Sequence, residues 1–488
     1  MLPLEWFSHR HSREHKKIRH ADHKLFATTK QIRISFTSRP ITAWGGLCAI
    51  LSRYLRQLDF ADWVEHALPI VETSNHAKGV YPKVLALFIT VLTGGERFAH
   101  ARWWGHGIEV FRRAFQVPWL PPDASSITRC LNRLNSQSQV EQLAESARAL
   151  VRKLLDWEKI TADIVCLDSS VITRYGGQEG ARRGYNPKKP GRPSHHPLFA
   201  FLGSGYVVNL WNRAGHCASA QGAVDFLQQT LLGLGSAFRL ERLLADSGFY
   251  RLEFLQWLEE CGYRYVIAAP VHRILQREIG RIATWHEVAP GIEVAEFYFQ
   301  HQDEKWDKPR RYVATRQLVV LRPRATGKQL SLFEEHEELG GYRYSLMITN
   351  EETLTPLEVW RAYRNRPNCE NVIKELRDDF GAAAFNTRNF WATEAVLILI
   401  CVVFKNLLHY LNRNVIKTGS VLSRLKTLRG EHFIIGASLG MNGRRQVLRL
   451  GIPDQSRRAH FRALLNRLDS LPGCLKSNAI AMTTGPPS

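Results

Sequence analysis

The sequence predicts a multidomain α+β protein. A helical N-terminal region leads into a mixed α/β core, an inserted β domain interrupts that core, and a small C-terminal region closes the chain. Three observations carry this reading. The chain has 488 residues, about three times the ~150-residue unit of a typical domain. Its apolar spacing switches from helical to strand-like near residue 160 and back to helical at Pro356. Hydrophobic residues make up 44% of the chain and aromatics 10%, enough for buried cores and too much for a disordered basic tail.

Residues 1–40 form a basic arm whose densest part is S-R-H-S-R-E-H-K-K-I-R-H. His9, His11, His15, His20 and His23 fall here without Cys or carboxylate partners at ligand spacing, so a solvated arm is favoured over a metal site. From 41 to 158 the chain reads as a helical domain. Leu47, Ile50, Leu51, Tyr54, Leu55 and Leu58 share one helical stripe, and the apolar segment Val84 to Leu92 ends at Gly94 and Gly95. A helix from Ser125 to Leu134 opens at Asp123 or Ser125 as cap and places Arg129 and Arg133 opposite Ile127 and Leu131. Such a helix can present Arg forks to base edges or phosphates, so 41–158 is expected to be a helical DNA-binding domain. An ordinary exposed face has the same pattern.

The core begins at residue 159. D-I-V-C-L-D runs apolar and β-branched into Asp168, and L-F-A-F-L and Y-V-V-N-L-W flank a G-S-G turn as a hairpin. A helix from about Ser219 to Leu234 follows. The strand E-R-L-L-A-D then carries Asp246, and a helix from Leu252 to Glu260 leads to the strand Y-R-Y-V-I-A. This order describes a mixed sheet in which Asp168 and Asp246 can come together, for which their strands have to lie adjacent. Lys188, Lys189 and Arg192 lie in the Pro- and Gly-rich loop between the first strand and the hairpin, placed to hold phosphate or merely solvated. Residues 271–350 are expected to form the inserted β domain, with strands I-E-V-A-E-F-Y-F, R-Y-V-A-T-R-Q-L-V-V-L and Y-R-Y-S-L-M-I split by a P-R-A-T-G-K turn and an acidic loop. Trp306 stands there among charges, either a base-stacking platform or a ring tucked against its own sheet.

The second part of the core, 351–413, holds the most informative segment, W-R-A-Y-R-N-R-P-N-C-E-N-V-I-K-E-L-R-D-D-F. With Pro367 at the first helical position, Glu370, Lys374 and Arg377 fall within about 60° of one another, with Val372, Leu376 and Phe380 opposite. Taken alone, this pattern also fits a surface ion pair. The longest apolar run, Ala395 to Phe404, is half of the ~20 residues a membrane span needs and is ended by Lys405, so a buried helix is expected and no membrane partner. Residues 414–488 contain a hairpin around M-N-G-R, a basic helix and a tail expected to be disordered.

Lys and Arg number 66 against 45 Asp and Glu, a net charge of +21, which favours a polyanionic partner. Eight scattered cysteines form no C-x-x-C pair, and the N-terminus has no signal-peptide core, so a reducing cytoplasm is expected. A carboxylate-pair glycosidase would leave the charge unexplained.

Tyr363, Arg366, Glu370 and Arg377 resemble the Y-x2-R-x3-E-x6-K signature of bacterial insertion-sequence transposases of the DDE type, with Arg in place of the last Lys. The blocks L-D-S-S-V-I-T-R-Y-G-G-Q-E-G, R-G-Y-N-P-K, R-A-G-H-C-A-S-A and A-D-S-G-F are similar to that family's in the same order, from roughly residue 40 to 450. The resemblance implies a ribonuclease-H-like core in which Asp168, Asp246 and Glu370 are the catalytic carboxylates and hold two Mg²⁺ ions, for which Mn²⁺ can substitute. It implies phosphate contacts from Tyr363 and Arg366 and leaves the contact of Arg377 open, because Arg replaces Lys there. It further implies cleavage at the element's inverted ends and joining of the 3′-OH to target DNA, a homodimer or larger synapse, and a cytoplasmic, nucleoid-associated setting. The alternative is a catalytically silent DNA-binding regulator of the same descent. Hard Mg²⁺ takes oxygen ligands, and two such ions can activate the attacking hydroxyl and stabilise the leaving oxygen.

Overall fold

A computed structural model describes residues 37–73, 77–121, 123–302, 306–318, 341–364, 366–416 and 422–473. Most of the basic arm, the P-R-A-T-G-K turn, most of the acidic loop and the C-terminal tail lie outside the described residues.

A nine-stranded mixed sheet organises the chain. Its strands, labelled in chain order, are β1 (Ala162–Ser169), β2 (Leu198–Leu202), β3 (Val207–Trp211), β4 (Arg239–Ala245), β5 (Tyr265–Ala269), β6 (His286–Ala289), β7 (Ile292–Phe299), β8 (Arg310–Leu318) and β9 (Tyr342–Thr349), in the spatial order β3-β2-β1-β4-β5-β9-β8-β7-β6. β1, β2 and β3 pair antiparallel, and β1, β4 and β5 run parallel. A right-handed crossover is the usual link between parallel neighbours, and the helices Ala223–Leu234 and Leu252–Glu260 lie in the two connections. β1 has the near-continuous apolar run expected of a strand covered on both faces, with Val165, Cys166 and Leu167 buried.

The expected inserted β domain forms the strands read from its sequence, but they extend the core sheet. Leu346 to Thr349 of β9 pair antiparallel with Ala269 to Val266 of β5, and β8, β7 and β6 add on in turn. The physical reason is the edge: β5 would otherwise present unpaired backbone N–H and C=O groups. Alternation alone gives each strand's faces but not its neighbour, which is why the sequence does not distinguish a continued sheet from a second one.

The N-terminal helices Gly45–Gln57, Phe60–Ala67 and Tyr81–Leu92 and the 22-residue Gln137–Glu158 helix pack beside the sheet. Tyr81–Leu92 is buried almost all round, and its Phe88 ring stacks on Phe404 with centroids 4.1 Å apart. Phe404 belongs to a 27-residue helix, Phe390–Ile416, that is long and apolar enough to cross a membrane, yet it is enclosed by protein. The apolar run read from the sequence is therefore the middle of a longer buried helix. The expected C-terminal hairpin forms as Ala437–Asn442 and Arg445–Leu450, and it pairs with Ile41 and Thr42 at the other end of the chain. Arg429 joins three regions: its guanidinium donates to the backbone oxygens of Val91, Leu92 and Asp379.

Asn406 shows how the buried helix closes the sheet. β3 is an edge strand, and the Asn406 carboxamide both accepts from the Val207 N–H (2.9 Å) and donates to the Val207 carbonyl (2.6 Å), at zero exposure. An apolar replacement leaves both backbone groups buried without partners, each costing about 1–3 kcal/mol. Asn406→Leu is expected to lower the unfolding free energy by roughly 2–6 kcal/mol in denaturant melts. A loss below about 0.5 kcal/mol, the range of ordinary surface substitutions, would show that the strand edge is satisfied some other way.

Candidate active site

The parallel pairing of β1 and β4 sets the first two carboxylates side by side. Leu167 lies opposite Ala245 in the register, so Asp168 and Asp246 follow at the same level at the carboxyl ends of neighbouring strands, a usual position for ligand sites in α/β sheets. Asp246 caps a short helical turn, its carboxylate accepting from the Gly248 N–H at 3.0 Å. The Asp168 carboxylate accepts from the Ser169 N–H at 2.8 Å. The third carboxylate comes from the Pro367–Asp378 helix, which starts at Pro as expected and carries Glu370 in its first turn, where the helix dipole favours negative charge.

One guanidinium reaches all three. Arg366 stands just before that helix and donates to Asp168 (2.9 Å) and Glu370 (2.7 Å), and it lies 4.0 Å from Asp246. Asp168 is buried, Asp246 is half-buried and Glu370 is exposed. Burial pushes the Asp168 carboxyl up to about 6, against the pull of Arg366, while the neighbouring Asp246 adds to the rise. Burial alone would lower the Arg366 guanidinium; the Asp168 carboxylate, with Tyr363, Asp246 and Glu370, outweighs it and holds the group above its ordinary value. Tyr363 is half-buried beside Arg366, and burial raises its phenol.

The donor set is all carboxylate oxygen, the chemistry a hard divalent cation takes. Among the described residues no three Asp, Glu, His or Cys side chains converge closely enough to hold an ion as they stand. Arg366 is the charge that these carboxylates share, and its Nε is buried without a hydrogen-bond partner, so the guanidinium is not fully satisfied where it sits. The residues fit a divalent metal in donor type, with Arg366 withdrawn from them.

Two neighbouring features were not read from the sequence. Ser169 and Ser219 hydroxyls lie 3.0 Å apart, joining the end of β1 to the loop before the Ala223–Leu234 helix. Buried Arg213 fixes that loop by donating to the carbonyls of His196, Ala218, Ser219 and Gln221. A Cβ on Gly248 would come within 2.7 Å of the Ser219 side chain, so glycine is what allows the Asp246 turn to sit against it. The signal for Arg213 was present in R-A-G-H-C-A-S-A, where one Arg opens a run of small residues whose carbonyls need a donor.

The other expected site residues are distributed as follows. Lys374 and Arg377 are exposed on the Glu370 helix, and Leu376 is buried opposite, as the wheel predicts; Arg377 donates to Asp378 at 2.7 Å. Lys188, Lys189 and Arg192 are exposed on their loop. The capped helix is Ala124–Leu131, with Asp123 accepting from Ser125 N–H at 2.7 Å, and Arg129 is exposed on it. Arg133 is beyond the end of this helix, not one turn along it: Asn132 is its C-cap, and Arg133 donates to the Val71 carbonyl. Trp306 is 5% exposed, 5.4 Å from the Tyr250 ring and 4.6 Å from that of His301, with the Arg310 guanidinium over it at 5.2 Å. It is not an exposed platform. The polar stretch that made it look exposed is folded over by Arg310, whose guanidinium is held by Glu259 and Asp307.

A sequence model of the family described as "Transposase DDE domain group 1" matches residues 25–472. No curated protein matches the chain. Among solved structures, one described as the cryo-EM structure of piggyBac transposase synaptic complex with hairpin DNA aligns over 81% of each chain, at a TM-score of 0.40 and 12% identity.

The shared guanidinium makes a prediction about stability. Removing one partner of a buried ion pair leaves an uncompensated charge and costs about 3–5 kcal/mol. In metal-free buffer Arg366→Met is expected to destabilise the protein by roughly 3 kcal/mol, and adding Asp168→Asn to recover part of that loss. Thermal melts of both single variants and the double variant give the coupling. Strictly additive effects would show that the two side chains do not support each other.

Proposed function

The chain belongs to the transposase DDE domain family, and from that premise we propose that it is a DNA transposase that binds the inverted ends of its own insertion sequence, cuts phosphodiester bonds there and joins the freed 3′-OH to target DNA. The observation that carries this reading is the meeting of Asp168, Asp246 and Glu370 on one guanidinium. The five strands β3-β2-β1-β4-β5, three antiparallel and then two parallel to the first, support a ribonuclease-H-like core. Net charge +21 supports a DNA partner.

Asp168, Asp246 and Glu370 would hold two Mg²⁺ ions, for which Mn²⁺ can substitute, and these supply activation of the attacking hydroxyl and stabilisation of the leaving oxygen. The remaining work falls to the chain's own side chains. Arg366 and the ions would be alternative counter-charges for the same carboxylates, which would leave the Arg366 guanidinium to bind the scissile phosphate. Tyr363, packed next to it, fixes that phosphate's orientation through its hydroxyl. Lys374, Arg377 and Arg129 offer exposed cations to the backbone. Cutting two ends and joining them requires two active sites in one assembly, hence a homodimer or larger synapse, working at the nucleoid in the cytoplasm.

Asp168→Asn, Asp246→Asn and Glu370→Gln are each expected to reduce cleavage and strand transfer to background while leaving affinity for end DNA nearly intact, because affinity comes from Lys and Arg contacts that release counterions. Single-turnover cleavage of end duplexes and gel-shift titrations check this. Wild-type cleavage by any one variant removes that residue from the site. Tight binding by the wild type with no Mg²⁺-dependent nicking would favour a silent regulator instead.

A further inference from the structure

The loop that leaves β1 and returns to β2 has an unusual division between inside and outside. From Arg174 to Arg192 it carries six Lys and Arg residues against one acid, Glu179. That acid is exposed but engaged, accepting from Asn389 and from the Phe390 N–H. Its buried polar groups act as anchors. Arg174, 2% exposed, donates to His195 (3.2 Å) and to the Ala383 carbonyl (3.0 Å). Asn186, 5% exposed, donates to the Thr173 hydroxyl (3.0 Å) and accepts from the Lys189 N–H (3.1 Å).

The aromatic rings are on the outside. Tyr175 is 72% and Tyr185 75% exposed. Each is next in sequence to an anchor, Arg174 and Asn186, so both rings stand on fixed backbone. Arg192 lies over the Tyr175 ring at 6.0 Å. The loop thus displays two rings and a guanidinium plane among Lys188 and Lys189. Base faces stack on such groups without regard to sequence, and the lysines track phosphates. Tyr175 is seven residues from Asp168, which limits the distance between them to about 25 Å, roughly seven base pairs of duplex.

We propose that Tyr175, Tyr185 and Arg192 form a stacking platform for unpaired DNA bases beside the cleaved bond, with Lys188 and Lys189 holding the phosphates between them. The assignment rests on the transposase reading and adds to it the state of the DNA: locally unpaired rather than intact duplex. It also gives the platform role, which the buried Trp306 cannot fill, to residues of the loop between β1 and β2.

The test uses the full chain and two random-sequence probes of equal duplex length, one blunt and one with a five-nucleotide unpaired flank containing 2-aminopurine. The wild type is expected to bind the flanked probe about tenfold more tightly and to change the 2-aminopurine emission on binding. Tyr175→Ala with Tyr185→Ala should abolish both effects and leave blunt-duplex affinity within about twofold, whereas Tyr175→Phe with Tyr185→Phe should keep them, since stacking needs the ring and not the hydroxyl. Lys188→Ala with Lys189→Ala should weaken both probes and lower the salt slope. Matching thermal melts exclude misfolding. Duplex binding with no preference for the flank, or a preference that survives the alanine pair, overturns the platform alone. Failure of the wild type to bind either probe overturns the transposase reading with it.

Discussion

Three carboxylates from three separated stretches of chain meet on the guanidinium of Arg366, and much of the architecture serves to make that meeting possible. Like charges this close repel. At an effective dielectric of about 20, two unit charges 4 Å apart interact by roughly 4 kcal/mol. Arg366 offsets that repulsion with contacts of 2.7 and 2.9 Å and a third at 4.0 Å. The Asp168 carboxyl is raised all the same, chiefly by its burial, with the push from Asp246 smaller than the pull of Arg366.

The framework that holds the three groups is built at long range. The β1–β4 register puts Asp168 beside Asp246. The Glu370 helix is held from its far end, where Asp379 accepts from Arg424, Arg429 donates to the Asp379 carbonyl, and Glu375 accepts from the Leu425 N–H. Arg429 in turn is tied to the Tyr81–Leu92 helix. The N-terminal helices and the C-terminal segment therefore brace the same carboxylate helix from outside the sheet. Arg213, the Ser169–Ser219 pair and the close fit of Gly248 act similarly on the Asp168 and Asp246 strand ends.

Local pattern made much of this legible. The β2–β3 hairpin, the Leu252–Glu260 helix, β7 and the C-terminal hairpin fall where alternation, helical spacing and turn residues put them. Two apolar strands each ending in Asp allowed Asp168 and Asp246 to meet on condition that the strands were neighbours, and the register supplies that condition. Strand partnership was not legible, because period-2 alternation is the same for a strand that extends one sheet and for one that begins another. Trp306 was ambiguous for a related reason: neighbours of opposite charge can be solvated, or can pair over a ring as Arg310, Glu259 and Asp307 do. Arg133 was placed by continuing a helical wheel beyond the turn where Asn132 ends the helix. Arg366 was visible as a residue, but its engagement with three acids depends on contacts across as many as 198 positions.

On the transposase reading proposed above, Arg366 and divalent ions compete for one set of carboxylates. Titration of the DNA-free full chain with Mn²⁺, followed by electron paramagnetic resonance, measures this without any catalytic readout. Arg366→Met is expected to bind Mn²⁺ at least tenfold more tightly than the wild type, since the ion no longer has to displace a guanidinium, and Asp246→Asn in either background is expected to remove the tight site. Equal Mn²⁺ affinity in wild type and Arg366→Met, or weaker affinity in the variant, would contradict it.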